Sequence, residues 1–115
     1  MGEDNKAKIK QLARQIKNNP GDSFSKFALA LEFRKEGELK NARILFEDIL
    51  QSDPEYVGVY YHLGKLYEAT DRLLDAKKLY KSGIEIADKQ KKARTKSELK
   101  EALAQVNIEI EERSN

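Results

Sequence analysis

An all-α protein built from antiparallel helix pairs is the fold class that the 115-residue sequence predicts, and three observations predict it. First, only two prolines and six glycines, with no tryptophan, stand beside abundant Lys, Glu, Leu and Ala, which favours helix over sheet. Second, Pro20 and Pro54 lie 34 residues apart and the segments after them align without a gap. Third, the apolar residues inside each segment recur at intervals of three and four, the period of one face of a helix. Together these give six helices, at about 5–18, 22–36, 39–52, 55–70, 73–88 and 94–112.

The first helix carries Leu12 and Ile16, which lie 34 before Phe46 and Leu50, so it reads as the second half of an incomplete earlier repeat. Residues 5–21 then act as an N-terminal cap. The device Asn19-Pro20-Gly21-Asp22 stops that helix and starts the next. In the first full copy, 22–54, Leu29, Ala30 and Phe33 lead to a turn at Gly37, and Leu39, Ala42, Phe46 and Ile49 resume the period. In the second, 55–88, Leu63, Tyr67, Ala76 and Tyr80 fall 34 after Leu29, Phe33, Ala42 and Phe46, with Asp71 at the turn. Gly37 and Asp71 both tolerate the left-handed conformation with which a helix ends, glycine more readily. Between the copies, Ser52-Asp53-Pro54 predicts a stop and a restart, with Asp53 capping the fourth helix and Pro54 in its first turn. The last helix carries an apolar stripe of Leu99, Ala102, Leu103, Val106 and Ile110 amid Glu, Lys and Gln, as a terminal capping helix should.

These residues resemble the tetratricopeptide repeat, whose pattern is aromatic-x-x-Leu-Gly-x-x-Tyr, then Ala-x-x-x-Phe, then Pro, at a period of about 34. Copy two matches with Tyr60, Leu63, Gly64, Tyr67, Ala76 and Tyr80. Copy one supplies Leu29, Ala30, Phe33, Ala42, Phe46 and Pro54, but has Lys26 where the first aromatic is usual, which weakens packing there. Past copy two, Asp88 replaces the proline, and Arg94, Ser97, Glu98 and Glu101 fall on the four signature positions, so no third full repeat follows. The resemblance implies a right-handed α-α superhelix, two repeats between two caps, forming a single domain over 1–115.

Composition bounds the function. With 39% hydrophobic and 37% charged residues the chain is soluble and still able to bury a core. The absence of cysteine removes disulfides, thiolate metal sites and cysteine nucleophiles. The polar leader Met1-Gly2-Glu3-Asp4-Asn5-Lys6 is not a secretory signal and no apolar run reaches membrane-spanning length, so a cytoplasmic location is expected. A net charge of +2 gives no global attraction to nucleic acid or anionic lipid, and neither is expected as a partner. His62 is the sole histidine, and there is no phosphate-binding glycine loop or nucleophile elbow. No catalytic residue, cofactor site or metal site is therefore assigned, and the chain is not read as an enzyme.

Function in the resembling family resides on the concave face, lined by the first helix of each repeat. Its groove positions correspond here to Phe24, Phe27, Ala28, Leu31, Arg34 and Lys35 in copy one, and to Gly58, Tyr61, His62, Lys65, Glu68 and Ala69 in copy two. Phe27, Leu31, Arg34, Tyr61, His62, Lys65 and Glu68 are the candidate partner-binding residues. Phe24 and Phe27 are each read either as groove or as core covered by the first helix. The apolar members with Arg34, His62 and Lys65 suggest a peptide or protein partner that is apolar with acidic groups. One subset of the family clamps a carboxylate with Lys and Asn where this chain has Phe27 and Leu31, so that function is not carried over. A non-catalytic adaptor or scaffold follows. The alternative is a self-assembly module, such as a homodimer, using the same apolar patch. A further alternative is an electrostatic nucleic-acid or membrane contact through 89–96, although that run lacks aromatics and reads better as a solvated helix junction.

Overall fold

The computed structural model describes residues 3–114. Met1 and Gly2 of the polar leader, and Asn115 at the far end of the 1–115 domain reading, lie outside the described residues. Among the described residues there are six helices and no strand: α1 (Glu3–Asn18), α2 (Ser23–Lys35), α3 (Leu39–Ser52), α4 (Gly58–Ala69), α5 (Leu73–Lys89) and α6 (Ala93–Ser114). They fall into two compact units, one running to Tyr56 and one starting at Val57, which places the division within three residues of the repeat boundary read from Pro54.

In the first unit α2 packs on both α1 and α3. Its N-terminus is capped by Asp22, which stands one residue outside the helix rather than inside it as the sequence predicts. The Asp22 carboxylate accepts the Ser25 amide at 3.0 Å and the Ser25 hydroxyl at 2.6 Å. The α3 face toward the core is apolar, with Ala42, Phe46 and Ile49 fully buried. The α1 contact is more polar. Leu12 is buried and Ile9 and Ile16 half-buried, while Lys8 pairs with Glu32 at 2.9 Å and Asn5 donates to Glu36. Lys26, in the usual aromatic position, is only 8% exposed: its stem lies in the interior and its ammonium reaches Asp48 on α3 at 2.6 Å.

In the second unit α5 packs on both α4 and α6. Tyr60, Leu63, Gly64, Tyr67, Ala76 and Tyr80, the repeat signature, are all buried. Two glycines let the helices approach. A Cβ added at Gly64 would lie 2.8 Å from Cζ of the fully buried Tyr80 ring, and one at Gly83 would lie 2.7 Å from Cβ of Tyr60 and 3.0 Å from Leu99. Of the stripe expected on α6, Leu99, Ala102 and Val106 are buried, and Leu103 and Ile110 half-buried.

The fourth helix begins at Gly58, three residues later than the sequence predicts. Asp53 closes α3 by donating its amide to the Ile49 carbonyl, and its own carbonyl accepts the Tyr56 amide, so Pro54 and Glu55 form a turn. Val57 precedes α4 without a side-chain cap. Asp53 therefore ends one helix instead of capping the next.

Three helices end alike. Past α2, Gly37 at φ 79° donates to the Arg34 carbonyl and Glu38 to that of Phe33. Past α4, Asp71 at φ 65° donates to Glu68 and Arg72 to Tyr67; past α5, Lys91 at φ 57° donates to Asp88 and Lys92 to Ala87. Each is the paired-hydrogen-bond termination that needs one left-handed residue. Lys91 occupies that place without glycine's freedom. Lys91→Gly should raise unfolding stability by about 0.5–1 kcal/mol in urea titration, whereas Gly37→Ala should lower it by about 1 kcal/mol with no clash, since nothing lies within 4 Å of the added methyl.

Gly64→Ala should cost about 1–3 kcal/mol by the same titration, because Tyr80 has no space into which to retreat. Hydrogen bonds from Ser25, side chain first and then backbone, hold the Asp22 carboxyl below its ordinary range. A lowered folded value means a stabilisation that is complete above the unfolded pKa and lost as pH falls through the folded one. Thermal melts of wild type and Asp22→Ala should therefore differ at pH 7 and converge toward about pH 2.

Candidate partner-binding surfaces

Phe24, Phe27, Leu31 and Arg34 follow one another at intervals of three and four along one side of α2. The structure separates them by role. Phe24 is 70% exposed, so α1 does not bury it as core. Phe27 is half-buried, its ring tilted against Phe46 at 5.8 Å and Tyr56 at 5.2 Å between centroids, so it is largely a packing residue of the first unit. Leu31 and Arg34 are half-buried. Tyr56 enters this surface from the turn after α3, which no periodic pattern marks. Its hydroxyl is pushed above the ordinary tyrosine range by burial, and then by the Asp53 and Asp22 carboxylates.

On α4, Tyr61, His62, Lys65 and Glu68 are brought together, each half-exposed. The His62 ring meets Tyr61 edge-on at 5.4 Å, and the Lys65 ammonium stands 5.6 Å from the Tyr61 centroid. Lys65 also lies 3.6 Å from the Glu68 carboxylate, which accepts the Tyr80 hydroxyl. Lys65 therefore shares its cleft face with a carboxylate of its own helix. Between α4 and α6 a cleft of about 220 Å³ opens, lined by Tyr61, Lys65, Glu98, Glu101, Ala102 and Gln105. The wall supplied by α6 is not among the contact residues that the sequence places on α2 and α4. The signal that could have found it is the presence of Glu98 and Glu101 at repeat-signature positions, where apolar residues would be consumed by packing.

The basic run 89–96 forms the α5–α6 junction. Lys96 pairs with Asp88 at 2.6 Å, which lowers the Asp88 carboxyl, through the hydrogen bond first and charge second. A cavity of about 470 Å³ at the other end of the second unit is lined by Leu73, Leu74, Ile110 and Arg113, with Arg113 held by Asp71. Among the described residues no group of three or more His, Cys, Asp or Glu is placed to hold a metal, and no helix is long and apolar enough to cross a membrane.

The family model described as tetratricopeptide repeat matches residues 33–106. The chain is 44% identical to a tetratricopeptide repeat domain protein of Salinibacter ruber, over 75% of this chain and 97% of that one, with a TM-score of 0.73 to its crystal structure. A TM-score of 0.81 at 15% identity relates it to the TPR2B domain of yeast Sti1 in complex with pHsp70, covering 88% and 81% of the two chains. MamA is similar at 26% identity and a TM-score of 0.68, over 78% of this chain and 49% of that one. No curated protein matches. The protein belongs to the tetratricopeptide-repeat family.

Proposed function

We propose that the protein is a non-catalytic interaction module, an adaptor or scaffold in a cytoplasmic setting, that holds a peptide or protein partner on the exposed faces of α2 and α4. The observation that carries this reading is the division of labour on α4. Its signature residues Tyr60, Leu63, Gly64 and Tyr67 are spent on packing, which leaves Tyr61, His62, Lys65 and Glu68 half-exposed, and Tyr61 and Lys65 line a cleft. Support also comes from the family, and from a neighbour of like fold whose structure is a complex with pHsp70. On α2, Phe24 and Leu31 supply apolar area, with Arg34 one turn beyond as a donor to an acidic group. Phe27, Leu31, Arg34, Tyr61, His62, Lys65 and Glu68 remain the proposed contact set, with Phe27 acting partly through the packing it shares with Tyr56.

The exposed Phe24 also favours a second reading, pairing with another copy of the chain through the same patch. One experiment separates the two. The chain with Phe24→Ala and Tyr61→Ala should stay folded, since neither side chain is buried, and should lose most of the partner recovered by affinity capture from native extract. Undiminished capture refutes the placement, and a concentration-dependent dimer in sedimentation that the double variant abolishes favours self-pairing instead.

A further inference from the structure

We infer that the cleft between α4 and α6 receives a basic side chain, lysine or arginine, from the partner segment. The inference rests on the interaction-module reading and deepens it. Among the described residues the only cation lining the cleft is Lys65, which Glu68 meets at 3.6 Å on its own helix. The opposite wall presents Glu98 and Glu101, one turn apart on α6. Among the described residues Glu98 is matched only by Arg94 at 3.5 Å, and that guanidinium is 95% exposed, so solvent competes for it and a partner's cation can replace it. Glu101 has no ion pair among the described residues.

Two carboxylates facing one compensated lysine leave the cleft acidic, although the sequence as a whole carries +2. The rest of the lining suits a long basic side chain. The half-exposed Tyr61 ring offers apolar surface to the aliphatic stem, and Gln105 adds an amide oxygen to the lining. An acidic side chain would meet two like charges here, so the acidic groups expected of the partner from Arg34, His62 and Lys65 do not belong in this cleft.

The test is a titration of the full chain, followed by backbone amide shifts, with two blocked alanine-based hexapeptides, one carrying two arginines and the other two glutamates. The arginine peptide should move Tyr61, Lys65, Glu101 and Gln105, and the glutamate peptide should not. Replacing both carboxylates, E98Q with E101Q, should weaken the arginine peptide about five- to tenfold in dilute buffer, an effect that shrinks at high salt. Equal affinity of the arginine peptide for wild type and the double variant overturns the inference, as does movement of these amides by the glutamate peptide. In the latter case the interaction-module reading survives, because the cleft still binds. If neither peptide moves them while native partner capture still depends on Tyr61, the basic-side-chain inference alone fails.

Discussion

In the second unit α4 and α5 approach through two reciprocal contacts, and the placement of every exposed residue on α4 depends on them. The Tyr80 ring of α5 lies over Gly64 of α4, and Tyr60 of α4 lies over Gly83 of α5. Each helix thus contributes one ring and one glycine about a turn apart, so neither can rotate without driving a ring into a backbone that has no room for it. Because successive residues of a helix point about 100° apart, fixing Tyr60 and Gly64 inward also turns Tyr61 and Lys65 toward the cleft. Leu99 packs against Gly83 as well, and through that contact α6 is positioned to supply the other wall.

The first unit keeps half of this arrangement. Ala30 and Phe46 stand 34 before Gly64 and Tyr80 and are fully buried. In the other half, Lys26 and Ile49 stand where the second copy has Tyr60 and Gly83. The large residue has moved to α3, and α2 offers a flexible stem whose ammonium finds Asp48 at the edge. Such a partly buried pair offsets its own desolvation more than it adds net stability, so Lys26 fills space where an aromatic would lock it. The weakening inferred at that position from the sequence thus takes the form of an exchanged contact.

Legibility in the sequence followed the strength of local chemical preference. Gly37 and Asp71 were readable as helix ends because both residue types accept a left-handed backbone and lie 34 apart. Lys91, in the same geometry, was not, because lysine has no such preference and the surrounding hydrogen bonds impose it. The Pro54 signal marked a break between α3 and α4 but misplaced the start of α4, since proline suits a turn as well as a first helical position. At α6 the 34-residue register failed for a related reason. With Asp88 in place of proline, α5 runs on to Lys89, and the buried residues Leu99, Ala102 and Val106 no longer coincide with the signature positions. That shift leaves Glu98 and Glu101 facing the cleft.

The candidate surfaces differ between the copies in a way that joins core to surface. Arg34 and Glu68 are equivalent positions 34 residues apart, and so are Phe46 and Tyr80. In the second unit the Tyr80 hydroxyl donates to Glu68, whose carboxylate lies 3.6 Å from the Lys65 ammonium. In the first, Phe46 has no hydroxyl to offer, the position of Glu68 is taken by arginine, and that of Lys65 by Leu31. A single oxygen on a buried ring therefore accompanies the change from an apolar face with a cation to a polar face whose cation has a carboxylate beside it. Residue spacing alone put Arg34 and Lys65 in one class of donor, and only the hydroxyl's reach from the interior separates them.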